Sequence, residues 1–319
     1  MTDRDRLIEL FKVADSKTDK MYIKSPLNYT GGKHKILPQI IPLMPKEIDL
    51  FIDLFGGGFN VGINIPAKKI YYNDLCYQVG YLLETLYNES LEDSLSRIDE
   101  LIDTYKLSKE NREGFLLLRE KFNKEVQAGF YDMYKFYTLI CYAFSNQIRF
   151  NKSGEYNIPF GKNRGFNNML RTKFTEFVNE LHNKEIKFTM KDFRAFKVDD
   201  IKVDTYVYCD PPYLNTAATY NVNNGWTIND EKDLRCMLCL MDKKGIKFGL
   251  SNNATYNTDL IEWAESNGFI VHHINVNYSN CNYHKKEKPT DDEVFITNYS
   301  NWFQKKTKYI RMVYTYEEC

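Results

Sequence analysis

The sequence predicts an α/β fold organised around a doubly wound, mainly parallel sheet. Short apolar runs, typical of buried strands, alternate along the chain with amphipathic segments whose apolar residues recur every three or four positions. Several of these runs end directly in Asp, Gly or Asn, as strands do at the ligand-binding edge of such a sheet. Because alternating strands and helices give parallel strands joined by crossover helices, we expect one sheet covered by helices.

The first predicted strand is residues 47–55, an apolar run that stops at three glycines. A second short strand at 68–73 ends at Asp74. From about 80 to 145 the apolar spacing is helical, and a further helix is predicted at about 229–242. The remaining strands expected in the sheet cover residues 186–190, 205–209, 245–250, 270–276 and 293–298.

A basic, aromatic-rich block interrupts this alternation and is expected to be an insert. Residues 145–175 contain six Lys or Arg against one Glu, which gives a local net charge of +5. Within them, residues 147–151 and 156–159 flank Lys152-Ser-Gly-Glu155, which predicts a hairpin with glycine in its turn. The predicted organisation is therefore an N-terminal extension (1–20), a sheet domain (21–84 and 185–319) and an insert (85–184).

Composition restricts the class of protein. The 319 residues include 43 Lys and Arg and 43 Asp and Glu, so the formal net charge is zero, and 43% of residues are hydrophobic. This balance is typical of a folded globular chain and excludes a histone-like polycation. There is no apolar run of membrane-spanning length, and the charged N-terminus is unlike a secretory signal. Seven scattered Cys, an odd number, indicate reduced thiols in a cytoplasmic protein.

Two motifs at predicted strand ends point to a nucleoside-containing cofactor. Asp53-Leu-Phe-Gly-Gly-Gly58 follows the first strand, and glycines allow both a tight turn and close approach of a ligand to the backbone. The spacing is not GxGxxG, which argues against an NAD-dependent enzyme. Asp74 ends the next strand, where a carboxylate can accept hydrogen bonds from ribose hydroxyls. Taken alone, the glycines are also consistent with a plain turn, and Asp74 is also consistent with a helix cap.

Asp210-Pro-Pro-Tyr213, directly after the strand at 205–209, is the most specific motif in the chain. The prolines hold the backbone extended and offer carbonyls without N–H groups. Asp210 and the Pro211 carbonyl can then both accept hydrogen bonds from one exocyclic amino group, while Tyr213 stacks on the ring that carries it. By contrast, Tyr29-Thr-Gly-Gly-Lys33 lacks P-loop spacing and reads by itself as a turn.

Other candidates favour structural explanations. Cys236 and Cys239 have CxxC spacing on an amphipathic helix, and without a second ligand pair they are predicted to be core thiols rather than a metal site. His272 and His273 fall in a strand pattern and are expected to be structural. The charged residues 283–288 are expected to be a solvated loop or a phosphate contact.

Together the motifs resemble the Dam family of DNA adenine-N6 methyltransferases, and the resemblance covers about residues 22–300. Three short stretches look closest to the T-even phage branch: Tyr105-Lys-Leu-Ser-Lys109, Phe144-Ser-Asn146 and Gly245-Ile-Lys-Phe-Gly249. The resemblance implies a Rossmann-like methyltransferase sheet with a helical and β-hairpin insert that recognises DNA. The segments that carry it are Tyr29-Thr-Gly-Gly-Lys33, Asp53-Leu-Phe-Gly-Gly-Gly58, Arg149-Phe-Asn-Lys-Ser-Gly154, Asn157-Ile-Pro-Phe-Gly-Lys162, Asp210-Pro-Pro-Tyr213 and Asp292-Glu-Val294.

The resemblance also implies roles for individual residues. S-adenosylmethionine, with S-adenosylhomocysteine as product and no metal, is expected at Tyr29, Lys33, Asp53, Phe55, Gly56, Gly57, Gly58, Asp74, Asp192, Phe193 and Asp210. The catalytic motif is Asp210, Pro211, Pro212 and Tyr213. Double-stranded DNA is expected at Ser145, Asn146, Arg149, Asn157, Pro159, Lys162, Asn163 and Arg164, with Arg149 on a guanine. A cognate restriction endonuclease on a separate polypeptide is the other expected partner, and a bacterial or phage cytoplasmic setting is implied.

One departure concerns the recognition sequence. Phage Dam enzymes carry an arginine directly after Phe-Gly-Lys, whereas here Asn163 stands in that position and Arg164 follows. GATC is the expected site and GATATC the alternative. Three other functions are weighed against adenine methylation: an N4-cytosine methyltransferase, which usually has Ser in place of Asp210; an enzyme acting on RNA; and a catalytically silent DNA-binding protein that keeps the fold.

Overall fold

A computed structural model describes residues 22–214, 225–275 and 292–300. Seven strands form one sheet in the order β3-β2-β1-β4-β5-β7-β6. β1 to β5 pair in parallel, and β7 runs antiparallel to both of its neighbours. The predicted doubly wound, mainly parallel sheet is therefore confirmed. The strands are β1 (Ile48–Asp53), β2 (Ala67–Asn73), β3 (Glu185–Thr189), β4 (Thr205–Cys209), β5 (Lys247–Asn253), β6 (Ile270–Ile274) and β7 (Glu293–Thr297).

Helices connect the strands and form the insert. They are α1 (Leu37–Ile40), α2 (Tyr77–Asn88), α3 (Leu91–Thr104), α4 (Arg112–Gln127), α5 (Met133–Tyr142), α6 (Asn168–His182), α7 (Ile228–Lys243) and α8 (Leu260–Ser266). Side chains cap several of them, and α7 begins with a capping box in which Thr227 and Asp230 each bond the other's backbone N–H. In the described part of the chain, no helix combines the length and the apolar composition that a membrane span requires.

The predicted elements differ from the observed ones mainly at their ends. β5 continues to Asn253, three residues beyond the predicted end, because Asn252 and Asn253 pair with Val294 and Glu293 of β7. The sequence did not assign α6 or α8. The predicted boundary at residue 84 falls inside α2, and the division into domains stays a prediction. The N-terminal extension, Cys281, Cys319 and residues 283–288 lie outside the described residues.

The insert shares its core with one face of the sheet. Phe51 of β1 and Phe122 of α4 belong to the same buried cluster, and Phe122 stacks on Phe136 of α5 at 5.7 Å between ring centroids. The predicted hairpin is present as a short irregular one. Phe150 and Tyr156 form an antiparallel bridge, and Asn151 N–H donates to the Glu155 carbonyl at 2.9 Å. These contacts hold the two strands of the hairpin together next to the hydrophobic core of the insert.

The prediction for the cysteine pair was wrong. Cys236 is exposed and Cys239 is half-buried, so neither is a core thiol. The buried face of α7 is formed instead by Leu234, Met237, Leu238 and Met241, and the cysteines lie off that face. His272 and His273 do lie in a strand, β6.

Candidate functional site

The candidate site begins where the strand order reverses, between β1 and β4. β1 ends at Asp53, which pairs in register with Tyr208, and Asp210 follows β4 directly. Leu54 N–H also donates to the Tyr208 carbonyl at 3.0 Å, which continues the pairing past the end of β1. Ligands in doubly wound sheets bind at this kind of switch point. The topology therefore brings Asp53-Leu-Phe-Gly-Gly-Gly58 and Asp210-Pro-Pro-Tyr213 together.

The glycine loop after β1 is shaped by the protein's own aromatic rings. A Cβ on Gly56 would lie 2.4 Å from the Tyr72 ring, and one on Gly57 would lie 2.9 Å from the Tyr29 ring. Gly57 also has φ +48°, in the left-handed region. The Tyr72 hydroxyl donates to the Gly57 carbonyl at 2.9 Å. These contacts explain why glycine is required here even before any ligand is considered.

Asp74 fixes the other side of this loop. Its Oδ2 accepts the Gly57 N–H and its Oδ1 the Cys76 N–H, both at 2.8 Å, and the Tyr29 side chain also bonds it. Burial raises the pKa of this carboxyl, and the two N–H donors oppose that rise. Asp74 therefore links Tyr29, the glycine loop and the start of α2. Its expected contact with a ribose stays a prediction.

Asp53 is a fully buried carboxyl group, and one of its two oxygens accepts no hydrogen bond from the described residues. Its Oδ2 accepts the Gly62 N–H at 3.1 Å, whereas its Oδ1 has no hydrogen-bond partner among the described residues. Burial, together with the nearby Asp210 and Asp74, raises the pKa of Asp53 to about 8. A buried acceptor without a donor is costly and is typical of sites that complete themselves with a ligand.

Lys33 connects the N-terminal loop to the Asp210-Pro-Pro-Tyr213 motif. Its Nζ lies 2.8 Å from Asp210 Oδ1 and 3.7 Å from Glu293 Oε1, and it donates to the Gly31 carbonyl at 2.9 Å. The same Nζ is 5.0 Å from the centre of the Tyr213 ring. Burial raises the pKa of the Asp210 carboxyl, and Lys33 counteracts the rise. Lys33 is thus the cation at the centre of the motif.

Glu293 is a buried residue of the candidate site that sequence reasoning missed. The Tyr213 hydroxyl donates to Glu293 Oε1 at 2.7 Å, and Glu293 is only 2% exposed. The sequence did contain a signal, because Asp292-Glu-Val294 is one of the segments that carry the family resemblance. The segment did not indicate what Glu293 does, because its contact with Tyr213 depends on β7 lying beside β5.

Three aromatic rings form a wall next to the glycine loop. Phe55 and Phe193 lie 5.5 Å apart, and Trp226 lies 5.7 Å and 5.6 Å from them. Trp226 Nε1 donates to the buried Glu231 at 2.9 Å, which fixes the indole. Phe55 and Phe193 were predicted as cofactor contacts; the structure brings the two rings together, and the contact with a cofactor stays a prediction. Trp226 was not predicted, and no pattern in the sequence marks it.

The Asp192 side chain pairs with Arg194. It is exposed, and its carboxylate accepts the Arg194 N–H at 2.9 Å and pairs with the Arg194 guanidinium at 3.1 Å. Arg194 also pairs with Asp230 and Asp233. This network joins the start of α7 to the segment that carries Phe193. The expected contact between Asp192 and a cofactor stays a prediction.

The site suits a ligand with positive charge and a flat ring. Lys33 pairs with Asp210 and Glu293, and Asp53 and Asp74 lie near Asp210, so four carboxyl groups adjoin one paired ammonium. The aromatic wall begins at Phe55, just after Asp53. S-adenosylmethionine carries a sulfonium, an ammonium and an adenine, so the unpartnered Asp53 oxygen and the ring cluster fit it. Within residues 22–214, 225–275 and 292–300, no group of acidic, His and Cys side chains is arranged to hold a metal ion.

The structure brings two of the segments that carry predicted DNA residues next to each other. Phe144 N–H donates to the Pro159 carbonyl at 2.9 Å and Ala143 pairs with Phe160, so the segments before Ser145 and around Pro159 are adjacent. Ser145 and Asn146 have positive φ angles. The Asn28 side chain donates to the Ser145 carbonyl at 2.7 Å, which ties this region to the loop that carries Tyr29 and Lys33.

Arg149 is held by Asn157. Its Nε donates to Asn157 Oδ1 at 2.8 Å, and its guanidinium also reaches the Asn157 carbonyl at 3.4 Å. Lys162, Asn163 and Arg164 are exposed. Asn163 has φ +65° and donates its N–H to Lys109. Because Asn adopts this conformation more readily than Arg, the backbone gives a physical reason for Asn at the departing position.

Comparisons with known proteins bear on the whole site. Residues 29–280 match the family described as D12 class N6 adenine-specific DNA methyltransferase. The chain is 42% identical over 300 residues to the type II methyltransferase M.FokI of Planomicrobium okeanokoites, covering 91% of this chain and 45% of that protein. It is 37% identical to the modification methylase StsI of Streptococcus sanguinis, covering 88% of this chain and 43% of that protein.

A more distant relative is the DNA N-6-adenine-methyltransferase of Escherichia phage P1, 25% identical over 78% of this chain and 32% of that protein. The chain therefore spans less than half the length of each of these three relatives. The family match covers most of the chain and includes the glycine loop, the insert and the Asp210-Pro-Pro-Tyr213 motif. This chain belongs to the D12 class of N6 adenine-specific DNA methyltransferases.

Proposed function

We propose that this chain transfers the methyl group of S-adenosylmethionine to N6 of an adenine in duplex DNA. The observation that carries the proposal is the Asp210-Pro-Pro-Tyr213 motif at the switch point of the sheet, where Asp210 is paired to Lys33 and lies near the buried carboxyl groups of Asp53 and Asp74. Asp53 and Asp210 would face the cationic part of the cofactor. Asp74 would face its ribose, and the rings of Phe55 and Phe193 would face its adenine. S-adenosylmethionine, when bound, supplies an electrophilic methyl group.

The residues of the motif would act by positioning the target amine. Its lone pair is conjugated with the adenine ring, so N6 is a weak nucleophile. Asp210 and the Pro211 carbonyl would accept hydrogen bonds from the two N6 hydrogens and direct the lone pair toward the methyl group. Pro212 keeps the backbone extended so that these acceptors and Tyr213 stay in register.

Tyr213 would offset the cost of removing the base from the duplex. Extruding a paired base costs a few kcal/mol. Stacking on an aromatic side chain contributes roughly 1–3 kcal/mol per base. The Tyr213 ring is half-buried at the end of the motif and is held through its hydroxyl, so it is a suitable platform.

The insert would read the sequence. Arg149 is pre-oriented by Asn157, and arginine paired to guanine is the commonest specific contact in the major groove. Lys162 and Arg164, both exposed, would contact the duplex beside it, with Asn163, Pro159, Ser145 and Asn146 lining the same side. We propose GATC as the recognition sequence and GATATC as the alternative. The finer likeness to T-even phage enzymes stays a prediction.

A restriction endonuclease on a separate polypeptide is the proposed partner system, because the relatives above are named as a modification methylase and a type II methyltransferase. A catalytically silent DNA-binding protein is the competing proposal. It is less well supported, because such a protein has no need for Asp210 paired to Lys33 beside the half-buried Tyr213.

One experiment tests both chemistry and site. The chain is expressed in a bacterial host that lacks adenine methylation, and single-molecule sequencing maps N6-methyladenine across the genome. We expect methylation of every GATC and none elsewhere. Methylation at GATATC alone would support the proposed chemistry and show that the recognition sequence is GATATC. Asp210→Ala should abolish the signal, whereas Asp204→Ala, at an exposed position, should not. No N6-methyladenine from well-expressed wild-type protein would overturn the proposal.

A further inference from the structure

Glu293 makes two contacts that converge on the catalytic motif. Its Oε1 accepts the Tyr213 hydroxyl at 2.7 Å and lies 3.7 Å from Lys33 Nζ. Lys33 in turn lies 2.8 Å from Asp210 Oδ1. The Tyr213 side chain also bonds Asp210. The four side chains therefore form one connected network, in which Glu293 contacts Tyr213 directly and reaches Asp210 through both Lys33 and Tyr213.

The antiparallel strand β7 is the reason that Glu293 reaches the site. In register, Glu293 pairs with Asn253 of β5 on one side and with Ile274 of β6 on the other. Because β7 runs opposite to β5, its first residue lies at the edge where the parallel strands end. Asp210 follows β4 at that same edge. The reversed direction of β7 therefore places the buried Glu293 at the switch point.

The contacts restrict how Tyr213 and Asp210 can move. The prolines fix the backbone at one end of Tyr213, and the hydrogen bond to Glu293 fixes its hydroxyl at the other. Lys33 is held between two acids, with its Nζ 5.0 Å from the centre of the Tyr213 ring. A carboxylate acceptor makes a stronger hydrogen bond than a neutral one, so the charge of Glu293 matters as well as its shape.

We infer that Glu293 is a positioning residue for methyl transfer: it orients the Tyr213 ring and, through Lys33, the Asp210 carboxylate. The inference rests on the proposed function. It differs from a purely structural role, in which Glu293 would only neutralise Lys33 in the interior. In the structural case the effects of changing Glu293 and of removing the Tyr213 hydroxyl would be independent.

A double-mutant cycle separates the two cases. Glu293→Gln keeps the size and an acceptor oxygen but removes the charge, and Tyr213→Phe keeps the ring but removes the donor. Methyl transfer to cognate DNA is followed in single-turnover reactions at saturating cofactor. Each variant should be slower by roughly tenfold, the effect of weakening or losing a hydrogen bond to a charged group. Tyr213→Phe should be the slower single variant, because it also removes the hydrogen bond from the hydroxyl to Asp210. The double variant should be within about threefold of the slower single variant, because both changes act on the same Tyr213–Glu293 hydrogen bond.

Matched controls are available at exposed positions. Glu265→Gln and Tyr81→Phe make the same chemical changes away from the site and should keep the wild-type rate. A double variant slower by about the product of the single effects, close to a hundredfold, would overturn the inference. So would a normal rate for Glu293→Gln.

A readout independent of activity distinguishes failure of this inference from failure of the proposed function. Protein labelled with carbon-13 at the tyrosine hydroxyl carbon gives a Tyr213 resonance, assigned by its loss in Tyr213→Phe. That resonance should shift in Glu293→Gln and stay unchanged in Glu265→Gln. If the resonance shifts but the protein methylates no DNA, the contact between Glu293 and Tyr213 is supported and the proposed function is refuted. An active enzyme with no shift would remove the inference alone.

Discussion

The buried carboxylate of Asp53 makes the stability of the protein depend on pH in a predictable direction. Burial raises its pKa from 3.8 to about 8, so between these values the folded state holds a proton that the unfolded state has released. Stability from this group is therefore complete below pH 4 and is lost as pH rises toward 8, at about 1.4 kcal/mol per pH unit. At pH 7 the accumulated loss is about 4 kcal/mol.

Asp53→Asn isolates this contribution, because the amide resembles the protonated acid and keeps an oxygen for the Gly62 N–H. The free energy of unfolding, measured with urea from pH 4 to 8, should be similar for both proteins at pH 4. The variant should then become more stable than wild type by several kcal/mol at pH 8. Asp204→Asn, at an exposed position, serves as the control. A difference that does not change with pH would refute the reasoning.

The same carboxylate links pH to cofactor affinity. A cation beside Asp53 Oδ1 favours the ionised form, so binding of S-adenosylmethionine should release a proton below pH 8. The dissociation constant should fall by at most about tenfold per pH unit between pH 6 and 8 in the wild type. In Asp53→Asn the affinity should be lower and this slope absent. Calorimetry in buffers of different ionisation enthalpy would detect the released proton.

Three further predictions concern the loop, the aromatic wall and the insert. Gly56→Ala introduces a Cβ 2.4 Å from the Tyr72 ring and should destabilise the protein by about 1–3 kcal/mol, whereas an unchanged urea midpoint would contradict the packing argument. Trp226→Ala should weaken cofactor binding about tenfold. In addition, the fluorescence change on binding should be lost in Trp226→Phe; equal affinities would exclude Trp226 from the site. Arg149→Lys should weaken binding to the cognate duplex roughly tenfold. It should leave non-specific binding and its salt dependence nearly unchanged, and equal weakening on all duplexes would indicate a phosphate contact.

The sheet and the main motifs could be predicted because local sequence determines them. β1 and β4 are short apolar runs with abrupt polar or glycine ends, and this pattern alone located Asp53 and Asp210. The parallel arrangement then required that both lie at one edge. The hairpin in the insert was predicted equally well, because Gly154 has the positive φ that its turn needs.

What could not be predicted depends on the packing of distant elements. The position of β7 between β5 and β6 is not encoded in any local pattern, and the contact between Glu293 and Tyr213 follows from it. Trp226 likewise becomes part of the site only when α7 packs on the sheet beside Phe193. The error for Cys236 has a similar origin, since helical spacing does not say how wide the buried face of α7 is.

The charges in the site explain why a fold would keep an arrangement that opposes its own stability. Burial raises the pKa values of Asp53, Asp74, Asp210 and Glu293, and Lys33 is the only described ammonium bonded among them. These buried carboxyl groups therefore ionise only at a cost in free energy, unless something cationic offsets it. A sulfonium and an ammonium supply that charge in the proposed cofactor. The groups that weaken the protein by itself are therefore those that should make cofactor binding strong, selective for the cationic form and coupled to pH.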